Sequence, residues 1–280
     1  MLVRLRASSP MTRNFQSFPT PPTVRLALDL CFAFKENRLL MRADGNGSPV
    51  PFVLDLNELG VASAPGHYLG CLGDVHCYAV QLAEESAPRG MVFRDLRSAL
   101  MVLDEPLGAL AGRAFQIVQW DRTHQFCGQC GCRTESLASE RAKKCPQCGL
   151  LQFPRLSPAI IVLVRRGREL LLARSCLLPA GMYSMLAGFV EPGETLEEAV
   201  AREVMEETGI TIKNIRYFGS QPWPFPHSLM IGFRAEHADG ELDIDKRELE
   251  DANWYLPERL PVLPPKISIA RRLIDSALNE

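Results

Sequence analysis

No apolar run in this chain approaches the twenty or so residues that a helix needs to cross a bilayer; the stretch at 159–164 ends after six. A strong charge of either sign is also missing. The formal net charge is -2, which gives no broad pull towards nucleic acid or an anionic membrane. There is no internal repeat and no glycine signature of a dinucleotide fold. Residues 1–23 lack Asp and Glu altogether and carry Arg4, Arg6 and Arg13 among serines and prolines. They have no secretory apolar core. A weak organelle-targeting signal is one reading of that composition; the expectation adopted is a disordered segment, with Met11 as a second start. The expected compartment is the cytoplasm, without membrane attachment.

Cysteine is what the chain has in unusual measure. Of its nine cysteines, Cys31, Cys71, Cys77 and Cys176 are scattered and are expected to be reduced and structural, while five cluster between 127 and 148. Cys127-Gly-Gln-Cys130-Gly and Cys145-Pro-Gln-Cys148-Gly are matching knuckles separated by fourteen residues. Each knuckle brings two thiolates onto one ion, and the glycine that follows permits the turn. Four sulfurs complete a tetrahedron with no open position, which suits one structural Zn²⁺. Two disulfides are the competing reading, and a reducing compartment disfavours them. Cys132 is a surplus thiol beside the cage.

A second concentration lies at 188–210, where seven carboxylates and one arginine surround a short helical pattern. Thr195 with Glu198 makes a capping box and Gly209 a stop, so the spacing predicts a helix over 196–208. At about 100° per residue, Leu196, Ala199, Val200 and Val204 share one arc. Glu203 and Glu207 fall on that same arc, with Glu206 at its edge. Clustered, half-buried carboxylates repel one another, and a hard divalent cation such as Mg²⁺ or Mn²⁺ removes the conflict. A solvated acidic helix is the bland alternative; overlap of the acidic and apolar arcs favours the metal.

Between these landmarks the layout alternates. Residues 24–83 contain short β-type runs, including 24–34 and 75–81, and 106–120 repeats apolar residues at helical spacing. Later strands are predicted at 159–164, 169–173, 211–217 and 228–233, with an amphipathic closing helix at 267–278. Strands with interspersed helices suggest a mixed-sheet α/β/α sandwich. In Ser220-Gln-Pro-Trp-Pro-Phe-Pro-His-Ser228 three prolines fix φ and discourage helix and central strand, so a stiff extended loop is expected. Trp223 and Phe225 on such a loop could stack on a planar base, or could merely pack on the core.

Gly188, five residues, Glu194, seven residues, Arg202-Glu203-Val204, one residue, Glu206-Glu207, one residue, Gly209-Ile210: this stretch resembles the box of the Nudix hydrolases at every fixed position. Ser220 to Ser228 further resembles the motif of the NADH pyrophosphatase branch, whose bacterial members also remove NAD caps from RNA and carry a four-cysteine ribbon just before the catalytic domain. The likeness spans roughly residues 120–280. It implies an α/β Nudix sandwich with a mixed sheet at 154–280, a zinc ribbon at 123–153, and an N-terminal α+β scaffold and dimerisation domain at 24–122. It also implies that Glu203, Glu206, Glu207 and the downstream Glu248 hold two or three Mg²⁺ or Mn²⁺ ions, Glu207 being the leading candidate to orient or deprotonate water. Glu250 is a possible confusion for Glu248. Glu194 and Arg202 would pair to brace the loop. Ala187 falls with the metal and nucleotide site, and Ala270 beside the bound nucleotide. The substrate loop would be Gln221, Pro222, Trp223, Pro224, Phe225, Pro226, His227 and Ser228. Phe153, Glu140 and Arg97 correspond to substrate contacts, the last reaching a partner chain's substrate in an implied homodimer.

The activity so implied is metal-dependent hydrolysis of the diphosphate of NAD(H) to nicotinamide mononucleotide and AMP, with removal of NAD caps from RNA 5′ ends. The alternatives are a broader dinucleotide pyrophosphatase acting on diadenosine polyphosphates, FAD or ADP-ribose, and a non-catalytic ribbon-based RNA-binding module. A local basic strip such as Arg141, Lys143 and Lys144 could give an RNA body a few contacts, although a lone cluster of this kind is more often a solvated face.

Overall fold

The computed structural model describes residues 15–21, 29–43, 48–53, 66–83, 86–176 and 178–279. It divides into two compact units between Arg155 and Leu156.

The first unit is built on a mixed sheet of β1 (Phe15–Ser17), β2 (Asp29–Lys35), β3 (Arg38–Arg42), β4 (Phe52–Val53), β5 (His67–Leu72), β6 (Val75–Gln81) and β7 (Met91–Asp95). Its order is β1-β5-β6-β2-β3-β7, with β4 on β2, and β2 runs parallel to β6. The short α1 (Leu96–Leu100) leads to α2 (Glu105–Thr123). Asp104 caps α2 by accepting from the Leu107 N–H. The helix buries Leu110, Ala111, Ala114, Phe115, Ile117 and Val118, and Phe115 meets Phe34 of β2 with ring centroids 5.5 Å apart. A three-stranded ribbon follows, β8 (Glu135–Ser136), β9 (Lys143–Lys144) and β10 (Leu151–Gln152). The disorder expected at 1–23 falls partly outside the described residues; Phe15–Ser17 instead pairs with β5. Of the strand expected at 24–34, residues 24–28 also lie outside them.

The second unit contains β11 (Ser157–Arg166), β12 (Glu169–Ser175), β13 (Leu186–Phe189), α3 (Leu196–Thr208), β14 (Thr211–Trp223), β15 (Ser228–Asp239), β16 (Leu249–Tyr255) and α4 (Ile269–Leu278). The sheet order is β14-β15-β11-β12-β16, with β13 also on β11, and β11 runs parallel to β15. The central run at 159–164 is apolar at every position because both faces are covered. Ile160, Val162 and Val164 join Ala199, Val200 and Val204 of α3 in one cluster. Ile161 and Leu163 join Ile269, Leu273 and Ile274 of α4 in the other. Helix, sheet and helix thus make the α/β/α sandwich that the alternation predicted.

The proline-rich segment departs from expectation. Residues 220–223 continue β14 as an edge strand, with Gln221 opposite Met230 and Pro222 opposite Leu229, and only 224–227 form the turn into β15. An edge strand needs ladder bonds on one side alone, so Pro222, which lacks an N–H, is tolerated there.

Candidate metal and nucleotide site

The acidic arc is fixed by local chemistry at both ends of α3. Thr195 accepts from the Glu198 N–H at 3.2 Å, while Glu198 accepts from the Thr195 N–H at 2.7 Å. Gly209 closes the helix in the left-handed region, φ 70°. Between these caps Glu203 and Glu207 are 9% and 6% exposed, whereas Glu206 faces solvent. Glu203 tucks its carboxylate against the backbone of β13 at Gly188. A Cβ built on Gly188 would sit 1.9 Å from that carboxylate. The first glycine of the box is therefore a hole shaped for Glu203.

One guanidinium ties the loop to the helix. Arg202 donates through Nε to Glu194 at 2.5 Å and through Nη2 to Glu194 and to the Phe189 carbonyl at 2.9 and 3.0 Å. Its Nη1 reaches Glu203 at 2.9 Å and Glu206 at 3.0 Å. The Glu194–Arg202 brace that the resemblance implied is present; the contacts to Glu203 and Glu206 went unforeseen. Arg202 and the Glu191 N–H hold the Glu194 carboxyl down at about 2.

Glu207 has no such partner. Its Oε2 is buried without a hydrogen bond. Burial, then the charges of Glu203, Glu248 and Glu206, push its pKa up to about 8. Burial also raises that of Glu203, against the pull of Arg202. Glu248 thus lies within electrostatic reach of both buried acids, although 41 positions separate it from Glu207. Its loop is pinned to the end of α3, where the Asp243 and Asp245 N–H groups donate to the Thr208 and Glu207 carbonyls at 3.0 Å. Glu250, the possible confusion, is spent on Arg174 at 3.0 Å. An orphaned buried carboxylate oxygen, a glycine hole holding a second carboxylate, and two further acids make a donor set of hard oxygens suited to divalent cations.

The residues expected to form the substrate loop are largely engaged within the fold. Trp223 and Phe225 are half-buried and meet edge to face, with centroids 5.2 Å apart at 69°. Gln221 accepts from the Ile269 N–H at 2.6 Å and donates to the Ile267 carbonyl at 2.8 Å, so its amide fixes the start of α4. Ser228 is buried, and His227 meets the Ser157 hydroxyl at 3.2 Å. Ala187 is exposed on β13, and Ala270 is buried in the cluster under α4. Phe153, Glu140 and Arg97 are exposed residues of the first unit.

In the ribbon, the Sγ atoms of Cys127, Cys130, Cys145 and Cys148 lie within 4.8 Å of one another. The pairs Cys127–Cys148 and Cys130–Cys145 are 3.5 and 3.4 Å apart. That is far beyond the roughly 2.05 Å of a disulfide and close to the edge of a tetrahedron with bonds of about 2.3 Å. Backbone N–H groups of the knuckles lower the pKa of Cys127 and, to about 6, of Cys145. The cage suits structural zinc. Cys132 donates instead to Gln147, outside it.

Family models match the chain in three consecutive blocks. A NADH pyrophosphatase-like rudimentary NUDIX domain covers 28–120, a NADH pyrophosphatase zinc ribbon 122–153, and a NUDIX domain 154–277. The NAD-capped RNA hydrolase NudC of Pseudomonas aeruginosa is 50% identical over 198 residues, 71% of each chain. This chain belongs to the Nudix family, in its NADH pyrophosphatase branch. The NAD-capped RNA hydrolase NudC of Erwinia tasmaniensis is 46% identical to this Nudix chain over 224 residues, 80% of this chain and 84% of the relative. A crystal structure of a NUDIX hydrolase from Nitrosomonas europaea aligns with 55% of this chain and 88% of its own, with 23% identity and a TM-score of 0.45.

The basic strip suggested for RNA does not stand. Arg141 donates to the Phe18 and Tyr68 carbonyls at 3.2 and 2.9 Å. Lys143 is 3% exposed and pairs with Asp121 at 2.9 Å. Both pin the ribbon to the first sheet and α2, leaving only Lys144 in solvent. Reading charge from sequence overlooked that alternate strand residues turn inward; the partners, 22 and 73 positions away, left no local signal. Among the described residues no helix is long and apolar enough to cross a membrane.

Proposed function

We propose that this Nudix enzyme hydrolyses the central pyrophosphate of NAD(H), giving nicotinamide mononucleotide and AMP, and by the same cut removes NAD caps from RNA 5′ ends. The observation that carries the reading is the buried, unpartnered Glu207 carboxylate beside Glu203 and Glu248. Glu203, Glu206, Glu207, Glu248 and Ala187 would hold two or three Mg²⁺ or Mn²⁺ ions. Such ions, when bound, polarise the phosphoryl oxygens and stabilise the leaving phosphate. Glu207 orients the attacking water and takes its proton. Arg202 keeps Glu194 and the 189–194 loop in place, and Glu203 and Glu206 would supply carboxylate oxygens to the ions. Trp223 and Phe225 clamp a base, and Gln221 holds α4 against the strand that carries them.

The two named relatives, both called NAD-capped RNA hydrolases, support the RNA activity. One diphosphate is cut in either substrate, and the RNA body needs no long basic track. The thiolate ribbon suits a reducing cytoplasm, and the first unit is the proposed homodimer surface. The test is incubation of the protein with NADH and with NAD-capped RNA side by side, with and without EDTA, and identification of products by mass. Nicotinamide mononucleotide from both, abolished by EDTA, is expected. Equal or faster cleavage of diadenosine polyphosphates, FAD or ADP-ribose would replace this reading with the broader pyrophosphatase, and no cleavage at all would leave a binding module.

A further inference from the structure

A cluster of reactive side chains in the first unit has no part in this chemistry. Tyr68 and Cys71 stand on β5 and His76 on β6, Cys71 and His76 being cross-strand partners. The Tyr68 hydroxyl is 2.8 Å from His76 Nδ1 and 3.2 Å from Cys71 Sγ, and that sulfur is 3.2 Å from the same Nδ1. Strict alternation would put residues 68 and 71 on opposite faces of the strand. The register slips between Tyr68 and Gly70, and this bulge turns Tyr68 onto the face of Cys71. Gly70 permits it: its φ is +132°, and a Cβ there would lie 1.9 Å from the Gln16 carbonyl oxygen. A tilted contact with the Tyr78 ring, at 5.1 Å between centroids, fixes the Tyr68 ring further.

We propose that Cys71 is a nucleophilic thiol and a site of reversible modification by small disulfides. The triangle satisfies its hydrogen bonds in either protonation state. With a neutral pair, Tyr68 donates to Nδ1 and the thiol donates to the Tyr68 oxygen. With the ion pair, the imidazolium N–H and the phenol O–H both donate to the thiolate. Moving the proton from sulfur to nitrogen therefore costs no hydrogen bond, the condition under which an imidazole generates a thiolate. Burial and the neighbouring Cys71 push the Tyr68 pKa upward, so the phenol keeps its proton and remains a donor.

Cys71 is half-buried, so a small reagent can reach it. Its thiolate attacks one sulfur of the disulfide, forming a new S–S bond. The old S–S bond breaks, and the departing thiolate takes the proton held on His76. One S–S bond replaces another: formally the Cys71 sulfur loses one electron and the departing sulfur gains one, with no outside oxidant. Cys77 follows His76 on β6, points to the opposite face and is buried, so it cannot resolve the adduct. An external thiol must reverse it.

The experiment treats the zinc-loaded full chain with oxidised glutathione at pH 7 and follows each cysteine by peptide mass. Cys71 should gain the adduct several-fold faster than the exposed Cys176. His76→Gln and Tyr68→Phe should each slow Cys71 several-fold, with Cys176 unchanged and the buried Cys31 and Cys77 still protected. A Cys71 rate no greater than that of Cys176 overturns the proposal. So does an unchanged rate in His76→Gln with Cys31 and Cys77 protected. If that variant exposes Cys31 and Cys77, the wild-type ratio and Tyr68→Phe decide. These residues belong to the first unit and the acidic arc to the second, so NADH turnover tests the function above and not this inference.

Discussion

The two units repeat one arrangement, a helix lying on a mixed sheet that contains a parallel strand pair, β2 with β6 in the first and β11 with β15 in the second. They differ in what the helix turns inward. Helix α2 buries Leu110, Ala111, Ala114, Phe115, Ile117 and Val118, and its late acid, Asp121, meets a lysine. Helix α3 buries Ala199, Val200 and Val204, and then Glu203 and Glu207. Burial raises the Asp121 pKa, but bonds from His67 and Lys143 overrule it and bring the value to about 2. Among the described residues no base faces Glu207, and its value is pushed up to about 8. The same buried charge is structural where the protein supplies a counter-charge and, on the proposed reading, a cation ligand where it does not.

The contrast is sharpened most by Glu207→Gln. Turnover of NADH should fall about 10²–10⁴-fold, the range for loss of a positioned acid or base, with the circular dichroism spectrum unchanged. Unaltered turnover would put the second helix in the same class as the first. The same carboxylate makes metal-free stability depend on pH. Its folded pKa of about 8 lies above the ordinary 4.5, so between those values the folded chain keeps a proton that the unfolded chain releases. Stability should be greatest near or below pH 4.5 as far as this group is concerned, and decline as pH rises towards 8. Thermal melts in EDTA should show the slope, and Glu207→Gln should flatten it.

Next in size is Gly188→Ala, which fills the hole that receives Glu203. Displacing that carboxylate should weaken Mn²⁺ binding about 10–100-fold, as loss of a ligand's support does elsewhere, measured by titration calorimetry. Trp223→Ala comes third. It should raise KM about ten-fold, within the roughly 1–3 kcal/mol of one stacked base, and change kcat less; an equal effect on a base-free diphosphate would show that the ring is not a clamp. The smallest effect on turnover belongs to Asp121→Asn. It removes the counter-charge of the buried Lys143 and leaves only its bond to the backbone carbonyl of residue 121, so the first unit should lose about 3 kcal/mol in denaturant melts, the lower end for breaking a buried pair, while the manganese affinity of the second unit stays as it was.

Much of this was readable along the chain because its causes are local. The capping box, the arc of residues 196–207 and the terminal glycine defined α3 to the residue, and two knuckles defined the ribbon cage. The proline-rich segment misled because proline's aversion to strands holds for paired interiors; only the sheet order places β14 at an edge. Arg141 and Lys143 misled because charge alone does not report which side of a short strand is covered. The Tyr68–Cys71–His76 triangle left no signal at all, since a bulge breaks the alternation on which strand faces are assigned.

Residue order alone settled what can be built within a few turns of backbone: the inward acids, the thiolate pairs and the apolar run sandwiched between two helices. The fold decided what is brought together from afar: Glu248 to Glu207, Gln221 to the start of α4, and Asp121 to Lys143. It also decided that Glu207 meets no counter-charge among the described residues. Spacing governs local geometry, but partners and dielectric surroundings exist only once distant segments have packed.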